Sequence, residues 1–145
     1  MNYTFLSSNS SKTEKEGELL GKKILKEKKE GVVLALSGDL GAGKTTFLKG
    51  FAKGIGVKEK ILSPTFVIFR KIPISKERNF FHFDCYRLKN EKDLFSLGFE
   101  EIIKNKKNII AIEWPEKIKK SLPYNCIFIN FEFISGDKRK ISIHS

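Results

Sequence analysis

Fully apolar segments alternate along this chain with segments whose apolar residues recur every three or four positions. The runs VVLAL at 32–36 and IIAI at 109–112 contain no polar residue, as is typical of strands buried on both faces of a sheet. The periodic segments predict one helix from Ser11 to about Lys29 and another from about Lys44 to Gly54. Because strands and helices follow one another without a linker or an internal repeat, the sequence predicts one three-layer α/β domain across residues 1–145.

Weaker patterns complete the predicted elements. The first helix is expected to open with a capping box between Ser11 and Glu14, and a further helix is expected to begin at Asn90 and to run through Ile103. Short strands are predicted at Tyr3–Ser7, Thr65–Arg70 and Phe80–Asp84. A closing antiparallel hairpin that turns at Gly136-Asp137 is predicted from the alternation over Ile127–Phe133 and Lys140–Ile143.

The net charge of +11 comes mainly from lysine, since only four of the 28 basic residues are arginine. This composition is typical of a solvated lysine-rich surface, and it leaves open an affinity for RNA or for an acidic partner. The sequence contains no run of 18 apolar residues, so no membrane span is predicted. The N-terminus lacks the basic flank and the long apolar segment of a signal peptide. Cys85 and Cys126 match no metal or redox spacing, so a cytoplasmic protein is expected.

One segment carries a specific chemical signature. It follows a predicted buried strand, precedes an amphipathic helix and fits the phosphate-binding pattern G-x-x-x-x-G-K-S/T, with the sequence Gly38-Asp39-Leu40-Gly41-Ala42-Gly43-Lys44-Thr45. Glycines let backbone N–H groups point at phosphates, and the helix N-terminus adds partial positive charge. Lys44 is expected to reach the β- and γ-phosphates and the Thr45 hydroxyl to ligate Mg²⁺. The sequence therefore predicts a P-loop nucleotide site.

The base is predicted to be adenine rather than guanine. GTPases carry N-K-x-D after a strand, whereas the nearest segment here, Asn90-Glu91-Lys92-Asp93, has its lysine one place later and lies at a predicted helix start. No D-x-x-G follows a suitable strand either. ATP is thus the favoured nucleotide.

Two carboxylates follow apolar strands, where a P-loop site needs an acid for the Mg²⁺ ion or the attacking water. Asp84 ends the strand that contains His82, and Glu113 ends the run at 109–112. Either one is a candidate metal ligand, and the sequence leaves open which of them is the direct one. His82 is expected to orient Asp84, whereas His144 is expected to be an inert residue of the tail.

The segment Ser63-Pro64-Thr65-Phe66 lies between the predicted P-loop helix and the next strand. P-loop NTPases often place a nucleotide-sensing switch at this point, so Thr65 is a candidate to offer its hydroxyl to the γ-phosphate or to Mg²⁺. A plain turn is the alternative for such a sequence.

Four segments in this order resemble the TsaE family (also called YjeE), the bacterial ATPase of tRNA threonylcarbamoyladenosine synthesis. They are the loop Gly38–Thr46, Ser63-Pro64-Thr65-Phe66, His82-Phe83-Asp84-Cys85-Tyr86-Arg87-Leu88 and Ile112-Glu113-Trp114-Pro115-Glu116. The resemblance runs from about Thr13 to Ile143. It implies a compact P-loop fold with a mostly parallel sheet, slow ATP hydrolysis, and a complex with the TsaB and TsaD proteins. TsaD transfers the threonylcarbamoyl group to an adenosine next to the anticodon, and the ATPase is thought to reset that machine between turnovers.

The resemblance also implies roles for individual residues. Lys44 and Thr45 match the Walker A lysine and the Mg²⁺ ligand, and Thr46 follows them in the nucleotide-binding loop. Thr65 matches the switch threonine, Asp84 matches the Walker-B-like or catalytic aspartate, and Glu113 matches the metal-associated glutamate. Trp114 matches a tryptophan close to the nucleotide site, and Thr13 matches an N-terminal threonine near the adenine. The departure at Cys85, where leucine is more usual, exchanges one apolar residue for another.

Two other functions fit the sequence less well. A small P-loop kinase for a nucleoside or another small molecule needs an acceptor pocket and an arginine-rich lid, and this chain has four arginines and no lid-sized insertion. A basic nucleic-acid-binding module would show aromatic residues interleaved with arginine, which the sequence lacks. Whether tRNA touches the chain directly or only through partner proteins stays open.

Overall fold

A computed structural model of the chain describes residues 1–27, 30–61 and 69–145. The strands are β1 (Asn2–Ser7), β2 (Val32–Ser37), β3 (Phe69–Pro73), β4 (Asn79–Asp84), β5 (Ile109–Glu113), β6 (Ile127–Ser135) and β7 (Lys138–His144). The helices are α1 (Ser10–Glu27), α2 (Lys44–Gly54), α3 (Glu91–Phe95) and α4 (Phe99–Lys104), with a 3₁₀ helix at Pro115–Ser121. Within the described residues, no helix combines the length and the apolar character needed to cross a membrane.

The strands form one seven-stranded mixed sheet in the order β1-β7-β6-β2-β5-β4-β3. The four central strands β6, β2, β5 and β4 run parallel to one another, whereas β7 pairs antiparallel with β6 and β1, and β3 pairs antiparallel with β4. The prediction of an α/β domain with a C-terminal antiparallel hairpin is confirmed, but the expectation of a mostly parallel sheet is corrected. Its physical reason lies in the connections, because short turns lead from β3 to β4 and from β6 to β7, and a short turn joins only antiparallel strands.

Apolar side chains cover both faces of the central strands. Along β5, Ile109 and Ala111 belong to the core that includes α1 and α2, whereas Ile110 and Ile112 belong to a second core with residues of α3, α4 and the 3₁₀ helix. All five residues of β5 are buried. This two-sided burial explains why the run at 109–112 contains no polar residue, as the sequence predicted.

Helices α1 and α2 pack with their backbones in close contact. A Cβ atom added at Gly17 would overlap the carbonyl oxygen of Phe47, and one at Gly50 would overlap the carbonyl oxygen of Glu14. Four residues further along each helix, Gly21 on α1 and Gly54 on α2 are in equally close contact with the backbone of the other helix. The glycines therefore set the distance at which α1 lies over the helix that follows the glycine-rich segment.

Several helices and strands begin or end at residues other than those predicted from the sequence. Asn9 rather than Ser11 caps α1, because its side-chain oxygen accepts a hydrogen bond from the Lys12 N–H at 2.8 Å. The predicted helix beginning at Asn90 is divided into α3 and α4, since Gly98 adopts a φ of 82° between them. In the described residues β3 begins at Phe69 and extends to Pro73, three residues beyond the predicted strand end at Arg70. The segment Ser63-Pro64-Thr65-Phe66, with the candidate switch residue Thr65, lies outside the described residues.

Candidate functional site

A cleft of about 240 Å³ opens at the carboxyl edge of the parallel strands. It brings together predicted site residues from four places in the sequence, namely Thr13, Leu40, Gly41, Gly43, Lys44, Thr45, Thr46, Asp84, Glu113 and Trp114. Gly38, Asp39 and Ala42 belong to the same loop but do not line the cleft, and the Ala42 side chain is buried. In open α/β sheets, ligands bind at this edge of the strands.

The glycine-rich loop (Gly38–Thr45) connects β2 to α2 and needs glycine for its shape. Gly38 has a φ of 152°, and a Cβ atom there would lie 2.8 Å from the carbonyl oxygen of Phe131. Gly43, with a φ of 103°, precedes the first residue of α2, and no side chain caps the N-terminus of this helix. The first N–H groups of α2 therefore remain available to an anion in the cleft.

The Lys44 side chain is held inside the site. Its ammonium donates a hydrogen bond to the carbonyl oxygen of Gly38 and lies 3.9 Å from the centroid of the Trp114 ring. Only 5% of the residue is exposed. Burial lowers the pKa of Lys44, and nearby carboxylates, of which Glu113 contributes most, act in the opposite direction. The site thus holds a desolvated cation beside acidic groups.

Asp84 and Glu113 face each other across two neighbouring parallel strands, as residues paired in the register of β4 and β5. Glu113 is buried, and its Oε2 lies 2.6 Å from Nε2 of His82. Asp84 is half-buried and accepts a hydrogen bond from the Tyr86 N–H at 3.0 Å. Burial raises the pKa of Asp84, and the charge of Glu113 raises it further, while the Tyr86 N–H lowers it. His82 therefore contacts Glu113, not Asp84 as the sequence predicted.

Trp114 adopts a backbone conformation that residues with a side chain rarely use. Its φ is 59° and its ψ is 51°, and it is the only residue other than glycine with a positive φ in the described part of the chain. The 3₁₀ helix starts directly after it at Pro115. Its indole ring contacts Lys44 on one side and lies 4.9 Å from the Tyr86 ring, centroid to centroid. A conformation of this kind costs about 1–2 kcal/mol and is often found at functional sites.

Thr13 lines the cleft from the first helix, α1. Its hydroxyl is 2.6 Å from the Ser7 hydroxyl and 3.3 Å from the Asn9 carbonyl oxygen. Its methyl carbon is the atom nearest to the place where a Cβ of Gly43 would lie, at 3.6 Å. The hydroxyl therefore braces the start of α1, while the methyl group packs toward the glycine-rich loop.

Four further residues line the cleft without having been predicted from the sequence, namely Ser10, Tyr86, Asp137 and Arg139. Arg139 donates a hydrogen bond from Nη2 to the Gly41 carbonyl oxygen at 3.0 Å and others from Nη1 to Gly136 and Lys138. Tyr86 lay within a quoted motif, so the sequence carried a signal for it. The turn at Gly136-Asp137 was predicted, but only the strand order β2-β6-β7 shows that this turn comes back to the glycine-rich loop.

The carboxylates of Asp84, Glu113 and Asp137 line the cleft together with several hydroxyl groups. The described residues contain no group of three or more His, Cys, Asp and Glu side chains that could hold a metal ion by themselves. A cation at the cleft would have the Thr45 hydroxyl and the carboxylates of Asp84 and Glu113 as protein donors. Any such ion would need further oxygen ligands from a bound molecule or water.

Together, these features define a mixed α/β protein in which a loop with the phosphate-binding sequence pattern lies beside two carboxylates at the carboxyl edge of the sheet. The profile of one family, described as "Threonylcarbamoyl adenosine biosynthesis protein TsaE", matches residues 11–141. This match covers most of the chain, and the chain belongs to the TsaE family.

Individual relatives agree with this assignment. The chain is 37% identical over 133 residues to the tRNA threonylcarbamoyladenosine biosynthesis protein TsaE of Rickettsia prowazekii, covering 91% of this chain and 90% of that protein. It is 32% identical over 139 residues to the protein of the same name from Treponema pallidum, covering 95% and 97%. The crystal structure of Bacillus subtilis YdiB superposes with a TM-score of 0.69 at 29% identity, covering 99% of this chain and 84% of that one.

Proposed function

We propose that this chain is the ATP-binding, slowly hydrolysing accessory ATPase of tRNA threonylcarbamoyladenosine synthesis, a P-loop NTPase-like domain that acts on the modification of an adenosine next to the anticodon. Membership of the TsaE family supports the role in this pathway. The observation that supports nucleotide hydrolysis is the convergence of Lys44, Thr45, Asp84 and Glu113 on one cleft beside the glycine-rich loop.

The glycine-rich loop and the start of α2 are suited to hold phosphates. The uncapped N–H groups of α2 supply hydrogen-bond donors, and Lys44 supplies a buried positive charge at the same place. A desolvated ammonium binds an anion more strongly than an exposed one because less water screens it. The Lys44 ammonium already bonds to the loop through Gly38, which keeps it within the site.

The donors of the cleft fit Mg²⁺. This ion takes oxygen ligands, keeps several waters, and usually binds through one or two carboxylates together with substrate phosphates. In the proposed site the Thr45 hydroxyl and one carboxylate, Asp84 or Glu113, would hold it. When bound, Mg²⁺ neutralises charge on the phosphate oxygens. Asp84, which is partly exposed, is the carboxylate better placed to hold a water, because Glu113 is buried and bonded to His82.

The residues that α1 and the C-terminal hairpin contribute to the cleft suit the nucleoside part of ATP. Thr13 and Ser10 come from the start of α1, and Asp137 and Arg139 come from the C-terminal hairpin. A pocket that combines apolar surface with a few polar groups is typical of nucleotide sites. No described residue there favours the alternative of a small-molecule kinase, since Arg139 is the one arginine among the described residues that lines the cleft.

The proposed role requires partners. The ATPase is expected to act with TsaB-like and TsaD-like proteins, in the cytoplasm and with tRNA held mainly by the partners. The family supports a place in this pathway. A weak activity of the isolated chain is therefore expected, with a higher turnover when the other proteins of the complex are added.

Calorimetry and a reconstituted reaction test the proposal together. The purified chain should bind ADP and ATP at one site, with an affinity that depends on Mg²⁺, and should hydrolyse ATP slowly. Addition to TsaB-like and TsaD-like proteins from the same organism should raise the yield of threonylcarbamoyladenosine in tRNA. A chain that binds no nucleotide, or a reaction that proceeds equally well without it, would overturn the proposal.

A further inference from the structure

His82 and Glu113 form a buried pair on the face of the sheet that carries the cleft. In the register of β4 and β5, His82 lies opposite Ala111, and Glu113 lies opposite Asp84. His82 and Glu113 are therefore diagonal neighbours, within reach of long side chains. Their Nε2 and Oε2 atoms are 2.6 Å apart, and the two residues are only 1% and 3% exposed.

The need for such a contact follows from the position of Asp84. Two carboxylates directly opposite each other on neighbouring strands repel, and the repulsion is strongest where burial removes water. The charge of Glu113 contributes to the raised pKa of Asp84, in agreement with this view. A hydrogen-bond donor two residues before Asp84 on β4 can hold one oxygen of the Glu113 carboxylate and so limit its approach to Asp84. His82 supplies this donor, and Ala111, which has a short side chain, lies opposite it on β5.

We propose that His82 is a positioning residue for ATP hydrolysis, which fixes the Glu113 carboxylate at the wall of the cleft through the Nε2–Oε2 hydrogen bond. This inference rests on the proposed function. His82 does not line the cleft, so it can affect ATP hydrolysis only through Glu113, which does. An ionised carboxylate only accepts hydrogen bonds, so the imidazole donates from Nε2. One bond to His82 occupies one oxygen of Glu113 and leaves the other for the cleft.

Three single variants separate positioning from packing. His82→Gln retains an N–H donor at a similar distance from the backbone, whereas His82→Leu retains bulk but no donor. His144→Gln is the matched control, because His144 is exposed on β7 and stacks on Phe128 instead. Loss of a partner that orients an active-site ligand typically lowers activity by about ten- to a hundredfold. We expect this loss in kcat for His82→Leu with KM for ATP changed by less than about threefold, and a much smaller loss for His82→Gln.

A readout that does not depend on turnover is the imidazole proton itself. A buried, hydrogen-bonded N–H exchanges slowly with water, so the His82 Nε2 proton should give an NMR signal in the unaltered protein. The signal should disappear in His82→Leu and should shift in Glu113→Gln, while His144→Gln should leave it in place. Absence of a protected imidazole proton from the unaltered protein would overturn the proposal, even if His82→Leu does not fold.

A double-mutant cycle then tests whether His82 acts through Glu113. In the Glu113→Gln background, replacement of His82 by leucine should cause little further loss of kcat. Losses that multiply, or a His82→Leu variant with unchanged kcat, would show that His82 has no positioning role. These results would leave the proposed function intact if the unaltered chain still binds ATP and Lys44→Ala binds it more weakly. A chain without any ATP binding would overturn both.

Discussion

The ammonium of Lys44 lies 3.9 Å from the centroid of the Trp114 ring and donates a hydrogen bond to the Gly38 carbonyl oxygen. This arrangement joins the glycine-rich loop to the point where the chain leaves β5, although the two residues are far apart in sequence. A cation over an indole face is attracted by the ring, and the attraction is larger when water is excluded. A phosphate that binds to the Lys44 ammonium therefore changes the charge next to the Trp114 ring, and the fluorescence of Trp114 should change with it.

Replacement of Lys44 by alanine should weaken ATP binding. The change removes one charge-assisted contact to the phosphates, about 1.5–3 kcal/mol, which corresponds to an affinity roughly ten- to a hundredfold lower. Calorimetric titration with Mg²⁺ measures this directly. Lys49→Ala is the matched control, since Lys49 is an exposed lysine on the same helix. Equal affinities in the Lys44 variant and the unaltered chain would contradict the assignment of the glycine-rich loop.

Conversion of Asp84 to asparagine should affect turnover more than binding. The substitution keeps the size of the side chain and removes the charge that would hold the Mg²⁺ ion or the attacking water, so we expect a fall of about ten- to a hundredfold or more in kcat. Nucleotide should still bind, because Lys44 and the start of α2 are unchanged. Steady-state kinetics and calorimetry on the same preparation compare the two quantities, with the exposed Asp93→Asn as control. Normal turnover would show that Asp84 is an ordinary acidic residue at a strand end.

The sequence predicted the parts of this protein that depend on local patterns. The apolar runs, the glycine-rich segment and the acids at 84 and 113 were all visible, because burial on two faces and the demand for glycine leave direct traces in sequence. The partner of His82 was predicted wrongly, since Asp84 is close in sequence but Glu113 is the residue within hydrogen-bond distance. Only the pairing of β4 with β5 decides between them, and pairing is a long-range property.

Strand order hid other features in the same way. Arg139 became a site residue because β7 lies beside β6, which lies beside β2. The antiparallel pairing of β1 with β7 and of β3 with β4 was likewise not fixed by any local pattern. By contrast, the spacing of Gly17 and Gly21 on α1 and of Gly50 and Gly54 on α2 was present in the sequence but was not interpreted. Such paired glycines permit close contact between two helices.

This close contact leads to a stability prediction. Gly17→Ala should destabilise the protein by about 1–3 kcal/mol, because the new Cβ would overlap the Phe47 carbonyl oxygen and lie 3.0 Å from the Phe51 nitrogen. Both are backbone atoms, which cannot move aside without shifting α2. On an unpacked helix surface the same change would stabilise, since alanine is the better helix former by about 1 kcal/mol.

Denaturant unfolding of Gly17→Ala and of the exposed control Lys23→Ala gives the two free energies of unfolding. The control should stay within about 0.5 kcal/mol of the unaltered protein. A stabilised Gly17→Ala variant would mean that α1 and α2 are further apart than described here.

Removal of the Arg139 side chain should loosen the glycine-rich loop. The guanidinium binds the Gly41 carbonyl oxygen and adds positive charge to the cleft, so Arg139→Ala should weaken ATP binding by about 1 kcal/mol, or roughly fivefold. Calorimetry on Arg139→Ala and Arg70→Ala compares this arginine with one on β3, at the opposite edge of the sheet. Equal effects of the two changes would assign the loss to net charge alone.

Trp114 is the one tryptophan of the chain, so its fluorescence reports on this site alone. Its ring contacts Lys44, and its neighbour in sequence is Glu113, so a nucleotide that draws the Lys44 ammonium toward phosphate changes the charge above the ring. Addition of ATP or ADP with Mg²⁺ should therefore change the intensity or the emission maximum, and the change should saturate at the dissociation constant found by calorimetry. Lys44→Ala should abolish the response, whereas Lys49→Ala should retain it. If calorimetry shows saturable nucleotide binding while the emission stays constant, the nucleotide does not approach the contact between Lys44 and Trp114, and the cleft described here is not its binding site.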